Sequence, residues 1–362
     1  MSRPEYILAD TAKRTARKAW QPATGENLRC FPVKDAKHRQ RIVAELESKG
    51  YKFAWPKSVK HRLPAPRLAA VTCFYNPAGF HTLRANYDQF AEQFEADTAP
   101  PLFTVEIALS GQDFSIPAGD RVLQLRAKHP LWFKENAINI AATRHDFIPD
   151  EFTAIAWLDC DLIFENPDWH AIAAEKLRDV PAVQCFRTIT HLDRNGEPQQ
   201  TRKGVVAHLA ELDHMPAAYG DHPPGGAWAA HREFFERFRL YEGNVNGGGD
   251  AMVHSAMMQN MEPGYLRLFE NELLESHFQK WAEPVARHVR GQVDFVPGHI
   301  RHLWHGDKVN RQYKERCELL ADFNPETDIH HNEKTNLLEW ATDKPEMHRR
   351  HVEYFEKRKE DG

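Results

Sequence analysis

Long apolar runs are missing from this sequence. No stretch approaches the roughly 20 apolar residues that a helix needs to cross a bilayer. Met1–Trp20 carries several basic residues but lacks the apolar core of a signal peptide. These absences argue against a membrane-spanning helix or a secretory leader, and they predict a cytoplasmic protein.

Cysteine is scarce, and its spacing follows no known framework. The 362 residues contain five cysteines, an odd number that is scattered along the chain. This pattern matches neither a disulfide framework nor a cysteine-based metal site, so we expect a reducing compartment.

Hydrophobic residues make up 41 % of the chain and charged residues 27 %. That balance is typical of a globular protein and excludes a disordered or fibrous one.

The net charge is small overall but is divided unevenly along the chain. Lys and Arg number 47 and Asp and Glu number 52, a net charge of −5. Met1–Arg67 holds 16 basic and 6 acidic residues, a net of +10, so the remainder carries −15. A basic arm of this kind suits a polyanionic partner, either nucleic acid or an anionic membrane surface. The alternative is that the arm docks on the acidic body of its own chain.

Short apolar runs alternate with helical stretches from Leu68 onward. Such alternation predicts an α/β fold, in which helices cover the faces of a sheet. Strands are predicted over 68–75, 102–109, 121–127, 182–186 and at the start of 153–164. Helices are predicted over 81–94, 131–143, 168–177, 232–239 and 250–259. We therefore expect a basic N-terminal appendage (1–67) with a helix over 35–49, an α/β domain (68–310) and a helical C-terminal tail (311–362).

The stretch Arg187–Pro224 is irregular and is rich in Gly, Pro and His. It is too long for an ordinary connection between two elements of an α/β fold. We therefore expect a functional loop that closes over a site as a flap.

The sharpest local signal is Asp159-Cys160-Asp161, at the end of a predicted buried strand. Ligands bind at the carboxyl ends of strands in open α/β sheets, and residues i and i+2 of an extended segment point to the same side. Two neighbouring carboxylates repel one another, and a divalent cation bridging to a substrate phosphate relieves that repulsion. Asp159 and Asp161 are therefore candidate metal ligands. The alternative is a solvated turn at the strand end.

Two glycine-rich segments follow, Gly225-Gly226-Ala227-Trp228 and Gly247-Gly248-Gly249-Asp250. Glycine pairs permit close approach of the backbone to a ligand, and Asp250 stands directly before a predicted helix. Taken alone, this pattern favours a helix N-cap role for Asp250 and a flexible loop for the glycines.

His302 and His305 stand three residues apart, near Trp304 and Gly306. Two imidazoles can complete a metal site begun by Asp161, and such a set of oxygen and nitrogen ligands suits Mn²⁺ better than Mg²⁺. In a straight strand the two histidines would face opposite ways. Joint ligation therefore requires the chain to turn between them.

These segments, in this order, resemble those of a GT-A-fold glycosyltransferase. They are most similar to the β-1,4-galactosyltransferase type and to the C-terminal segment of polypeptide N-acetylgalactosaminyltransferases. In that pattern, a segment similar to Trp132–Asn139 precedes the Asp-x-Asp strand, and Asp-Lys-x-Asn follows the histidines, here as Asp307–Asn310. The resemblance covers roughly Leu68 to Asn310. It implies a Rossmann-like mixed central sheet flanked by helices.

The resemblance also implies roles for single residues. Asp161, His302 and His305 would hold the metal, Asp159 would contact the ribose or the metal's water shell, and Asp250 would be the general base. The donor would contact Tyr75, Asn76, Trp132, Lys134, Asp159, Gly225, Gly226 and Trp228. The acceptor would contact Trp228, Gly248, Gly249 and Asp250. Gly249 departs from the family, which has Glu there to bind the acceptor sugar, so the usual N-acetylglucosamine acceptor is not implied.

The implied activity is a metal-dependent, inverting transfer of a sugar from a nucleoside-diphosphate sugar, expected to be a UDP-sugar, to an acceptor hydroxyl. The basic arm points to a hydroxymethylated base in DNA as the acceptor, and the alternative acceptor is a cell-surface glycan precursor. A metal-dependent phosphohydrolase or nucleotidyltransferase would use the same Asp and His residues. A non-catalytic nucleic-acid-binding protein would use the basic arm alone.

Overall fold

Leu68–Tyr75 forms a strand whose two faces are both buried. Leu68 and Ala70 pack into one hydrophobic cluster, and Ala69 and Val71 pack into another. Successive side chains of a strand point to opposite faces of its sheet. A strand that is covered on both faces is therefore mostly apolar, as this run is except for Thr72, whose buried hydroxyl donates to the Leu158 carbonyl.

The computed structural model describes residues 65–211, 222–261, 263, 266–313 and 315–362, together with residues 5–10, 15–19, 28–33, 42, 45, 46, 48, 49, 52 and 53. The chain divides into two compact units, Met1–Leu63 and Pro64–Gly362.

The first unit contains a four-stranded sheet. Its strands are β1 (Glu5–Asp10), β2 (Thr15–Ala19), β3 (Leu28–Val33) and β4 (Lys52–Phe53), in the order β3-β1-β2-β4. β1 pairs antiparallel with β2 and β3, and β2 pairs parallel with β4. The sequence predicts no strand here, because none of these short segments alternates strictly between polar and apolar residues. The helix predicted over 35–49 lies mostly outside the described residues, although residues 42, 45, 46 and 48 are helical.

The second unit is an α/β fold built on a mixed seven-stranded sheet. The strands of this sheet and of a smaller one, numbered together in chain order, are β5 (Leu68–Tyr75), β6 (Leu102–Leu109), β7 (Val122–Ala127), β8 (Ala154–Leu158), β9 (Leu162–Phe164), β10 (Ala182–Gln184), β11 (Thr188–Leu192), β12 (Pro198–Lys203), β13 (Ala227–His231), β14 (Val293–Phe295) and β15 (His299–His302). The large sheet has the order β14-β10-β13-β8-β5-β6-β7, and β13 runs antiparallel to both of its neighbours. The small sheet has the order β12-β11-β15-β9. This architecture is compatible with the Rossmann-like fold expected from the sequence.

Helices cover both faces of the large sheet. The helices described in the second unit are α1 (His81–Ala91), α2 (Lys134–Thr143), α3 (Trp169–Leu177), α4 (Val205–Leu209), α5 (Arg232–Arg237), α6 (Gly249–Met257), α7 (Glu272–Val289), α8 (Glu315–Glu318) and α9 (Pro345–Lys357). The helices α2, α6 and α7 contribute to one hydrophobic cluster, and α3 contributes to the other. The sequence did not predict α7, which contains Pro284, a residue that usually ends a helix. Within the described residues, no helix is long and apolar enough to cross a membrane.

Two segments contain more regular structure than the sequence predicts. Residues 187–211 contain the hairpin β11–β12 and the helix α4, while 212–221 lies outside the described residues, and the flap role stays a prediction. The Asp193 carboxylate stabilises the hairpin turn by accepting from the N–H groups of Asn195 and Glu197. The expected helical tail contains a second hairpin, formed by β16 (Ile329–His331) and β17 (Leu338–Trp340), before α9 begins.

Candidate functional site

Three neighbouring strands bring the Asp-x-Asp and Gly-Gly segments together. β5 and β8 run parallel, so the residues that follow them leave the sheet at the same edge. β13 runs antiparallel to β8, with Ala227 opposite Leu158, so the residues before β13 lie at that edge as well. The N–H of Asp159 donates to the Gly226 carbonyl at 2.8 Å. The sheet topology therefore joins two motifs that are far apart in the sequence.

The small sheet carries the histidines to Asp161. β15 pairs antiparallel with β9, with His302 opposite Leu162. The N–H of Leu303 donates to the Asp161 carbonyl at 2.8 Å. β15 ends at His302 and the chain then turns, so the rings of His302 and His305 stack with their centroids 5.2 Å apart. This turn is the one that joint ligation requires.

Asp161, His302 and His305 form a buried group that can hold a metal ion. One ligand atom from each residue lies within 4.8 Å of the others. Asp161 Oδ2 is 3.0 Å from His305 Nε2 and 3.7 Å from His302 Nε2. Asp161 Oδ1 is buried and has no hydrogen-bond partner among the described residues. A carboxylate with one oxygen unsatisfied, facing two imidazoles, fits a divalent cation.

The other ring nitrogen of each histidine is already engaged. His302 Nδ1 lies 2.8 Å from the Leu303 carbonyl, to which it donates. His305 Nδ1 lies 3.2 Å from Glu360 Oε1. Metal-binding histidines characteristically donate their second ring N–H to a carbonyl or carboxylate, which leaves the first nitrogen free to bind the metal. Both Nε2 atoms face Asp161, and that of His305 also lies 2.8 Å from a guanidinium nitrogen of Arg311.

The surroundings of Asp161 and His302 favour the protonation states that bind a metal, whereas His305 must lose a proton to a metal ion that binds there. Burial acts to raise the pKa of Asp161, but His302, His305 and Arg311 outweigh it and hold the pKa well below its usual range. Burial lowers the pKa of His302 to about 4, so this ring is neutral at pH 7. Burial and the Arg311 charge also act to lower the pKa of His305, but Asp161 and Glu360 outweigh them and raise it. An ionised carboxylate and a neutral imidazole are the forms that act as ligands.

Lys134, Asp159 and Asp250 form a second charged cluster. Lys134 Nζ lies 2.6 Å from Asp159 Oδ1 and 2.7 Å from Asp250 Oδ2. Burial acts to lower the pKa of Lys134, but the two carboxylates outweigh it, so the pKa is raised and the lysine stays charged. Burial raises the pKa of Asp159 to about 6. A Cβ atom on Gly225 would lie 2.5 Å from Asp250 Oδ2, so glycine is needed at that position.

The N-cap role that the sequence favours for Asp250 is wrong. Helix α6 begins at Gly249 and Gly248 is its N-cap residue, so Asp250 lies inside the first turn. Its side chain pairs with Lys134 instead of capping the helix. Gly248 has a φ of +89°, a left-handed conformation that glycine adopts without strain.

Gly249 lies directly against the carboxyl group of Glu135. A Cβ atom at Gly249 would overlap that carboxyl group, so no larger residue fits. Glu135 is 3 % exposed, and burial raises its pKa to about 8. The side chain of Glu135 therefore explains why this chain has Gly at position 249.

One cavity of about 460 Å³ joins the two charged clusters. Eleven of the residues that the sequence singled out line it: Tyr75, Trp132, Lys134, Asp159, Asp161, Gly225, Gly226, Gly248, Asp250, His302 and His305. The other three residues that the sequence singled out, Asn76, Trp228 and Gly249, do not line the cavity. The Asn76 side chain closes a turn through two hydrogen bonds with the Phe80 backbone. Trp228 is 2 % exposed and stacks on Trp157 in the core, and Gly249 lies against Glu135.

A basic wall of the cavity was not indicated by any sequence motif. The wall is formed by four arginines, Arg202, Arg311, Arg316 and Arg358. They come from β12, from a short 3₁₀ turn at Lys308–Arg311, from α8 and from the end of α9. Guanidinium groups recognise phosphate oxygens well, so the wall suits an anionic ligand. Isolated arginines carry no spacing signal, and only the fold brings these four together.

Comparison with known proteins does not identify this site. The chain matches no protein-family model, and no curated protein is significantly similar to it. The interpretation of the cavity therefore depends on its own geometry and chemistry.

Proposed function

We propose that this protein is a metal-dependent, inverting glycosyltransferase of the GT-A type. It transfers a sugar from a nucleoside-diphosphate sugar, with a UDP-sugar as the expected donor, to an acceptor hydroxyl. One observation carries the proposal: the Asp161, His302 and His305 group, the Lys134 cluster and the arginine wall all line the same cavity. This combination suits a donor that carries phosphates and lies next to the reacting hydroxyl of an acceptor.

The leaving group is the nucleoside diphosphate. Asp161, His302 and His305 would hold a divalent metal, with Mn²⁺ suited to these ligands, which when bound would supply positive charge for a departing diphosphate. Lys134 and Arg311, which line the same cavity, add donors for the phosphate oxygens. These side chains bind and orient the diphosphate before the bond to the sugar breaks.

Aromatic residues supply the surface for the nucleotide base. Tyr75 and Trp132 line the cavity. The Tyr75 hydroxyl and the Trp132 indole N–H are both buried, without a hydrogen-bond partner among the described residues. Leaving such a group unpaired costs about 1–3 kcal/mol. A polar ligand that pairs with these groups regains that free energy, which favours nucleotide binding here.

Asp250 is the proposed general base. Its carboxylate lines the cavity and is held by Lys134 and by its place in the first turn of α6. It accepts the proton of the acceptor hydroxyl while that oxygen attacks the anomeric carbon. Because one base serves a single displacement, the configuration at the anomeric carbon is inverted.

The acceptor proposed is a hydroxymethylated base in DNA, which the +10 net charge of residues 1–67 would help to bind. A glycan precursor is the alternative acceptor. Because Glu135 occupies the space beside Gly249, this site differs from a glycosyltransferase site with a glutamate at that position.

A metal-dependent phosphohydrolase or nucleotidyltransferase is the second candidate. The observation that favours it is that Asp161, the two histidines and the arginine wall would serve phosphoryl or nucleotidyl transfer equally well. The two functions differ in product, since only a glycosyltransferase moves the sugar.

A panel of nucleotide sugars, each incubated with Mn²⁺ and then with DNA or saccharide acceptors, tests the proposal. We expect one donor to yield a nucleoside diphosphate together with a glycosylated acceptor. Release of inorganic phosphate or pyrophosphate without sugar transfer would instead identify the second candidate. Failure of every donor to bind in the presence of Mn²⁺ would overturn the proposed glycosyltransferase.

A further inference from the structure

We infer that Glu360 is a positioning residue for His305 and that residues 358–361 form a strap that holds it there. This inference rests on the candidate metal group of the proposed function and extends it to a part of the chain that carries no motif. The strap follows α9 directly and reaches the metal group from the side opposite Asp161.

The contact between Glu360 and His305 sets the orientation of the ring. Glu360 is 3 % exposed, and its Oε1 lies 3.2 Å from His305 Nδ1. With Nδ1 donating to this carboxylate, His305 Nε2 is held on the side of Asp161, 3.0 Å from its Oδ2, where the two residues could share a metal ion. A carboxylate behind a histidine ligand fixes its tautomer and raises its basicity. Glu360 therefore acts on the metal group through His305.

Anchors on both sides of Glu360 hold the strap in place. Arg358 Nε donates to Glu360 Oε1 at 2.6 Å, and the same guanidinium donates to the Tyr354 hydroxyl at 3.1 Å. The Asp361 carboxylate accepts from the backbone N–H groups of His81 and Thr82, at 3.1 and 2.8 Å. These two residues begin α1, where a negative charge is favourable.

The backbone of the strap also packs on the turn that contains His305. Gly306 has a φ of +85°, and a Cβ atom there would lie 2.9 Å from the Lys359 carbonyl oxygen and 3.0 Å from Glu360 Cα. Only glycine fits between the turn and the strap. Backbone packing and the side-chain contact are independent observations, and both tie the strap to His305.

The strap provides its own matched control. Arg358 and Glu360 are buried, whereas Lys359 between them is exposed. The variants Glu360→Gln and Lys359→Gln therefore change neighbouring residues to the same side chain, but only the first alters the contact with His305.

Titration calorimetry of the full chain with Mn²⁺ is the test. Loss of an outer partner typically weakens metal binding by about 10–100-fold. We expect that loss for Glu360→Gln and a change of less than about 2-fold for Lys359→Gln. Gly306→Ala, which displaces the strap while keeping every carboxylate, should weaken binding as well. Circular dichroism identifies a variant that does not fold, and the other variant then decides the result.

A second readout does not depend on metal. Long-range ¹H–¹⁵N NMR of the metal-free protein reports the hydrogen bond at His305 Nδ1, and we expect its Nδ1 signal to shift in Glu360→Gln and to stay unchanged in Lys359→Gln. The inference would be overturned if Glu360→Gln and Gly306→Ala both fold and bind Mn²⁺ as tightly as the unsubstituted protein. It would also be overturned if the unsubstituted protein binds no Mn²⁺. If the strap variants weaken Mn²⁺ binding but no sugar is ever transferred, the inference stands and the proposed function fails.

Discussion

Asp161 Oδ2 lies 3.0 Å from His305 Nε2, and the Arg311 guanidinium contacts the same imidazole nitrogen at 2.8 Å. An Nε2 lone pair can accept a hydrogen bond from Arg311 or bind a metal ion, but not both. Arg311 is also one of the four arginines of the basic wall. Arg311 therefore connects the candidate metal group with the proposed diphosphate site.

Arg311→Gln should change the two affinities in opposite directions. Mn²⁺ binding should tighten by about 3–10-fold, because a competing cation is removed from His305. Binding of a nucleoside diphosphate should weaken by about 10-fold, the effect of losing a charge-assisted hydrogen bond of about 1.5 kcal/mol. Calorimetry with each ligand measures both. Arg301→Gln, at an exposed arginine of β15, is the control, and weaker Mn²⁺ binding in Arg311→Gln would contradict this account.

Asp161→Asn should abolish metal binding and leave the fold intact. The substitution removes the one charged ligand of the group, so we expect Mn²⁺ affinity to fall by more than the roughly 100-fold that loss of an outer partner can cause. The strand core of β8 does not involve this carboxylate, and the far-ultraviolet circular dichroism spectrum should be unchanged. Asp97→Asn changes an exposed carboxylate and should bind Mn²⁺ normally. Full turnover of Asp161→Asn in EDTA would rule out a role for the metal.

Asp250→Asn should remove the base while keeping the size of the side chain. We expect kcat to fall by about 10²–10⁴, with donor binding nearly unchanged. Asp88→Asn, at an exposed aspartate of α1, is the control and should keep full activity. Product NMR should show inversion at the anomeric carbon, and a product of retained configuration would be incompatible with a single base.

Glu135→Gln should make stability less dependent on pH. Burial raises the pKa of Glu135 from 4.5 to about 8, so between these values the folded protein binds a proton that the unfolded chain has released. The free energy of unfolding therefore falls as pH rises across this window, by at most about 1.4 kcal/mol per pH unit from this group. Gln is neutral at every pH and removes that slope. Urea unfolding from pH 5 to 8 measures the difference, and parallel curves for the two proteins would contradict it.

Binding to DNA should depend on salt if the basic arm contacts phosphates. Each neutralised phosphate contributes about 0.9 to the slope of log K against log salt for duplex DNA. Replacing Lys57, Lys60 and Arg62 by Gln should therefore flatten the slope by up to about 2.7. Lys357→Gln, in the second unit, is the control. Equal slopes for the triple variant and the unsubstituted protein would favour the glycan acceptor.

Local pattern in the sequence was sufficient to predict the central strands β5 and β8 and the pair of carboxylates at the end of β8. β8 is apolar throughout, and β5 is apolar except for Thr72, because both faces of each strand are buried. Asp159 and Asp161 follow β8 at the edge where parallel strands place ligands. Periodicity and strand ends are properties of adjacent residues, so they can be read without the fold.

Contacts between distant segments were decided by tertiary structure alone. The turn that aligns His302 and His305 depends on pairing between β15 and β9, and the arginine wall draws on four separate segments. Glu360 reaches His305 from a segment where the sequence suggested only a helical tail. None of these contacts involves a repeated spacing. They exist because burial and hydrogen bonding bring residues together that share no local pattern.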